Sequence, residues 1–232
     1  MDPTAQWVFF DVDQTLCDFE AMMGRALRRS IGGIERRWPT LTGRFRSRDL
    51  EDIRNRLAAA YTDGPVPLIA VRRQMFAVAL ADVATETDID EITEDYLHHR
   101  FADPVIFPDV VPALRELTAA GIRLGVITNG NSKLDALGLA DYFSAEFVAE
   151  QVGFAKPDRR IYQHAADALG VAAHGLLMVG DSLPDDVHAA RAAGWRAVWL
   201  DRSNARKADE AERIGDLSRL GDFVGTRPAV DP

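Results

Sequence analysis

The stretch WVFFDVDQTLCD, Trp7–Asp18, decides the fold. Four apolar or aromatic residues run without interruption into Asp11 and Asp13, and the hydrophobicity then stops. A short continuous apolar run of this kind reads as a strand of a parallel sheet, buried on both faces. Its two carboxylates stand where burial makes charge most costly, so something must compensate them. Alternate residues of an extended chain share a side, which puts Asp11 and Asp13 together.

Working outward, three more segments read as buried parallel strands: 122–127 (IRLGVI), 175–179 (GLLMV) and 195–200 (WRAVWL). Helical patterns at 112–120, 158–170 and 184–194 lie between or beside them, and each stops at a glycine, a plausible helix end. Strand and helix in alternation predict an α/β fold, a Rossmann-like doubly wound parallel sheet. Residues 17–103 break the rhythm. They hold no clear strand but several amphipathic helical stretches, with a turn at TDGPVP (62–67). The expected organisation is an α/β core of residues 1–16 and 104–232 with an inserted α-helical domain of residues 17–103. The final RPAVDP is expected to be loosely held.

Composition narrows the classes. Of 232 residues, 47% are hydrophobic and 27% charged, which is ordinary globular usage. A net charge of −9 argues against a general nucleic-acid binder, which needs surplus cations facing phosphates. The single cysteine, Cys17, permits no internal disulfide and fits a reducing compartment. No apolar run approaches the roughly 20 residues that span a bilayer, and MDPTAQ carries no basic-then-apolar targeting signal. The expectation is a cytoplasmic protein, monomer or homodimer, with neither nucleic-acid nor membrane partners. Among 24 arginines there are three lysines, Lys133, Lys156 and Lys207, so lysine chemistry has few candidates.

In open α/β sheets ligands bind beyond the carboxyl ends of the strands. At those ends stand Asp11 and Asp13; then Thr128, Asn129 and Gly130; then Gly180, Asp181 and Ser182, with Asp185 and Asp186 close behind. The loop QVGFAKP (151–157) offers Lys156 just before a helix. Were these strands neighbours, four or five carboxylates would converge and require protonation or a cation. Oxygen-only ligation points to a hard divalent ion, Mg²⁺ before Ca²⁺ or Mn²⁺. A metal, a carboxylate nucleophile and donors for an anion (Thr128, Asn129, Lys156) together suggest phosphoryl transfer.

FFDVDQTL, VITNG, KPD and MVGDSLPDD followed by AARAAG, in this order, resemble the haloacid dehalogenase-like hydrolase superfamily, in particular its phosphatases with a helical cap. The resemblance implies that Asp11 is the nucleophile that forms an aspartyl-phosphate. It implies that Asp13 protonates the leaving alkoxide and then activates water. Thr128 and Asn129, with Gly130 beside them, would bind phosphoryl oxygens, and Lys156 would neutralise the nucleophile and the phosphoryl group. Mg²⁺ would lie between the carboxylates of Asp11 and Asp181 and the carbonyl of Asp13, supported by Asp185 or Asp186, a choice left open. Gln14 departs from the family's usual glycine. The implied function is a Mg²⁺-dependent phosphatase for a small phosphorylated metabolite.

Rival readings share the fold. A 2-haloacid dehalogenase needs neither the second aspartate nor the metal; a phosphomutase would keep both; a non-catalytic binding member would have lost a catalytic group. A phosphonatase would use a cap lysine, and residues 17–103 contain none. Ser182 reads as a helix cap, Cys17 as a packing residue, and the five histidines as surface or helix residues without ligand spacing. Eight arginines between Arg25 and Arg48 read as a solvated face, with contact to an anionic substrate as the alternative.

Overall fold

The computed structural model describes residues 7–62, 64–203 and 212–224. The terminal RPAVDP and Lys207 lie outside them. The chain divides into two compact units, one of residues Asp18–Val105 and one formed by the chain on either side.

The second of these carries a six-stranded sheet in the order β3-β2-β1-β4-β5-β6. The strands are β1 (Trp7–Phe10), β2 (Arg123–Thr128), β3 (Ala145–Val148), β4 (Leu176–Gly180), β5 (Arg196–Leu200) and β6 (Arg213–Ile214). Every pairing is parallel. All four residues of β1 are buried, as a central strand with neighbours on both edges demands. The chain proceeds outward from β1 through β2 to β3, then returns to its other side for β4, β5 and β6. The order therefore reverses at β1, and a crevice opens beyond the carboxyl ends at such a switch point.

Helices α5 (Val110–Ala119) and α7 (Arg159–Leu169), with the short α6 (Ala149–Val152), α8 (Ala189–Ala192) and α9 (Gly221–Val224), accompany the sheet. One apolar cluster packs Trp7, Phe9, Ile161, Tyr162, Met178 and Trp195 together. Full burial of each such side chain contributes about 1.5–3 kcal/mol. Cys17 is fully buried, in keeping with a packing role.

Two strands escaped the sequence reading. β3 is an edge strand of four residues, AEFV, whose glutamate is exposed, so it never forms a long apolar run. β6 has only two residues. The helix expected over 184–194 is also divided. A π-helical turn over Leu183–His188 precedes α8. Gln14 adopts φ +63°, a left-handed conformation that explains why glycine is at home there.

The unit Asp18–Val105 is built from α1 (Phe19–Arg37), α2 (Ser47–Ala58), α3 (Leu68–Ala79) and α4 (Glu86–Arg100). Asp18 caps α1 by accepting from Ala21 N, and Thr85 with Asp88 forms a capping box on α4. Its own core includes Met23, Leu27, Leu50, Phe76 and Tyr96. Arg37 pairs with Asp88 and Glu91 across α1 and α4. Among the described residues no helix is long and apolar enough to cross a membrane.

Candidate active site

The loop leaving β1 turns at once. Leu16 N donates to Val12 O (2.9 Å) and Gln14 N to Cys17 O (2.9 Å). Asp11 N is still held by Val179 O of β4 at 2.9 Å, so the first carboxylate stands on the sheet and the second on the turn. Asp11 is 8% exposed. The Asp13 carboxylate accepts from the Ser132 hydroxyl. Gly130 lies directly against it: a Cβ there would come within 2.4 Å of Asp13 Oδ2.

β2 ends in Thr128, which is fully buried, with its hydroxyl oxygen accepting from Gly130 N at 2.9 Å. The hydroxyl proton remains to donate. Asn129, expected among the phosphate ligands, uses its amide for another task. Its Nδ2 donates to Lys156 O (2.7 Å), and its Oδ1 accepts from Lys156 N (2.8 Å). This two-point clamp positions the loop that bears Lys156. The Lys156 ammonium in turn donates to Asp11 Oδ1 (2.7 Å) and Asp186 Oδ1 (2.6 Å).

Beyond β4 the chain makes a capped turn. The Ser182 side chain accepts from Asp185 N, as a helix cap does, while Ser182 N donates to Asp186 Oδ2 at 3.0 Å. Gly180 allows Asp186 to fold back, because a Cβ there would meet Asp186 Oδ2 at 2.2 Å. The two neighbouring acids are placed differently. Asp186 is 1% exposed and reaches Lys156, whereas Asp185 offers its backbone carbonyl to the Tyr162 hydroxyl (2.7 Å).

Asp11, Asp13, Thr128, Asn129, Gly130, Lys156, Asp181, Asp185 and Asp186 all line one cavity of about 150 Å³. Its wall carries five carboxylates and one ammonium. Burial pushes the Asp11 carboxyl up; Lys156 pulls it down, and Asp186 and Asp13 push it up again, for a net rise. Burial opposes the charged form of Lys156, but Asp11 and Asp186 outweigh it, so the ammonium is retained. Burial and then Asp186 push Asp181 up to about 6. The set is overloaded with negative charge unless a cation joins it.

The donors suit a hard cation. Asp11, Asp181 and Asp186 each present an oxygen within 4.8 Å of the others, with no nitrogen or sulfur among them. The side chain of Asp13 stands outside that trio, which leaves its backbone carbonyl as the group it could offer.

Several contributors were invisible in the sequence. Ser132 holds Asp13 from two residues beyond Gly130, and Tyr162 braces the acidic turn from α7. A serine and a tyrosine in such places carry no pattern of their own.

The family profile described as haloacid dehalogenase-like hydrolase matches residues 5–194, most of the chain. The chain belongs to the haloacid dehalogenase-like hydrolases. Its relatives within this family include phosphatases and a dehalogenase. A phosphatase of Mycobacterium tuberculosis is 31% identical over 228 residues, covering 94% of this chain and 97% of that protein. A phosphoserine phosphatase of Thermus thermophilus is 36% identical over 158 residues, covering 64% of this chain and 63% of that protein. The crystal structure of a 2-haloacid dehalogenase from Pseudomonas syringae superposes with a TM-score of 0.76 at 32% identity, covering 95% of this chain and 98% of that one. In this haloacid dehalogenase-like hydrolase the acid at the end of β1, Asp11, is buried and in contact with Lys156.

Proposed function

We propose that this hydrolase is a Mg²⁺-dependent phosphatase that cleaves a small phosphate monoester through an aspartyl-phosphate on Asp11. The observation that carries the reading is the charge of the cavity: five carboxylates, one ammonium, and three of the acids close enough to share an ion. A phosphate dianion enters such a wall only if cations balance it.

In the first half-reaction a carboxylate oxygen of Asp11 attacks phosphorus as the bond to the leaving oxygen breaks. Asp13 gives its proton to that oxygen. In the second, Asp13 takes a proton from water; the water oxygen attacks phosphorus, and the bond to Asp11 breaks. Lys156, in contact with Asp11, offsets charge on the nucleophile and the phosphoryl group. Thr128 donates its hydroxyl to a phosphoryl oxygen. Asp11, Asp181 and the Asp13 carbonyl would hold Mg²⁺, with Asp186 in support; when bound, the ion supplies charge neutralisation at the phosphoryl oxygens.

The helical unit of residues 18–105 is proposed as the cap, which favours a compact substrate over a macromolecule. The names of the Mycobacterium and Thermus relatives support a phosphate ester as substrate class. The Pseudomonas dehalogenase favours a second reading, halide displacement from a 2-haloacid by the same Asp11. That chemistry has no need of Asp13 or of a cation, and its carboxylate substrate would face the same five acids.

Hydrolysis of p-nitrophenyl phosphate and halide release from 2-chloropropionate, each with Mg²⁺ and with EDTA, separate the two. The phosphatase reading expects phosphate release that EDTA abolishes. Halide release unaffected by EDTA, without phosphate release, overturns it.

A further inference from the structure

We infer that Arg202 and Asp109, acting through Thr15, form a positioning chain that sets the carboxylate of Asp181. The inference rests on Asp181 being a cation ligand, as proposed above. Three segments far apart in sequence meet behind the site. Thr15 lies on the turn after β1, Asp109 just before α5, and Arg202 just after β5. The guanidinium of Arg202 binds both oxygens of Asp109 at 3.0 Å through Nη1. Its Nη2 and Nε donate to the backbone carbonyl of Thr15, at 2.7 and 3.3 Å. The plane lies over the ring of Phe107, 3.9 Å from its centroid. Asp109 is itself fixed by Leu217 N at 2.7 Å.

Thr15 is fully buried, and its hydroxyl faces Asp181 Oδ1 at 3.4 Å. That is at the long end for a hydroxyl hydrogen bond, yet it is the contact through which Thr15 orients the carboxylate. The backbone of Asp181 is held from the other direction, by the Trp199 indole donating to its carbonyl at 2.9 Å. Asp181 is the most exposed of the three clustered acids and therefore the one that most needs outside positioning. A lysine at 202 could neutralise Asp109 but could not also fork onto the Thr15 carbonyl, because that geometry belongs to guanidinium.

The test is Mg²⁺ binding by isothermal titration calorimetry on the whole chain, with circular dichroism confirming that each variant is folded at the titration temperature. Arg202→Gln, Asp109→Asn and Thr15→Val are expected to weaken Mg²⁺ binding by about tenfold, the usual effect of losing an outer-shell partner. Arg202→Lys should fall between parent and Arg202→Gln, while Thr15→Ser, which keeps the hydroxyl, should stay near the parent. Folded variants that all bind Mg²⁺ within about twofold of a competent parent overturn the positioning role and leave the phosphatase reading standing. A parent that binds no Mg²⁺ overturns both.

Discussion

Asn129 makes two hydrogen bonds to the backbone of a single residue, Lys156, and the lysine head group then divides itself between Asp11 and Asp186. The amide therefore governs where the Lys156 ammonium on the cavity wall stands. Asn129→Ala removes both clamp bonds and frees two backbone groups. At about 1 kcal/mol for each bond, turnover of p-nitrophenyl phosphate should fall by about tenfold or more with a smaller change in KM. Unchanged kcat would show that the loop is held without the clamp. Asp11, Asp13, Asp181 and Lys156 stand at strand ends or in a marked loop, and their convergence on one cavity was legible. The direction of the Asn129 amide was not, because its partner is a main-chain unit 27 positions away. Thr15 and Arg202 were further out of reach, 187 positions apart.

Among the elements, β1, β2, β4 and β5 announced themselves because central parallel strands are buried on both faces and must be apolar throughout. β3 and β6 did not, being short edge strands for which half-polar sequence is sufficient. The turn after β4 was foreseen as a helix start but not as a π-helical one. Its width accompanies the folding back of Asp186 over Gly180, where the free space for a side chain is nil. Gly180→Ala must push the buried Asp186 carboxylate away from Lys156 or distort the turn. Overpacking of this kind costs about 1–3 kcal/mol. The expected outcome is a lower melting temperature together with weaker Mg²⁺ binding in calorimetric titration. A variant with parental stability and parental Mg²⁺ affinity would mean that Asp186 has another place to go.

At the scale of the whole molecule, the acidic cluster ties stability to pH and to cations. Asp181 is pushed up to about 6, mainly by burial and by Asp186. A carboxyl raised in the folded state binds protons that the unfolded chain has already released. Its contribution to stability therefore grows as pH falls through about 6 and is lost as pH rises above it. A cation reverses the preference by favouring the ionised form. In EDTA at pH 7.5, Asp181→Asn should melt at or above the parental temperature. Mg²⁺ should raise the parental melting temperature more at pH 7.5 than at pH 5, and should do little for Asp181→Asn. An equal Mg²⁺ shift in parent and variant would place the ion elsewhere. All of this chemistry converges on the acid at the end of β1. The most direct measurement is phosphate release by purified parent and Asp11→Asn in saturating Mg²⁺, with both proteins shown to be folded. Loss of the nucleophile should reduce the rate by at least about 1,000-fold. Phosphate release by Asp11→Asn at a rate near that of the parent would contradict the account at its centre.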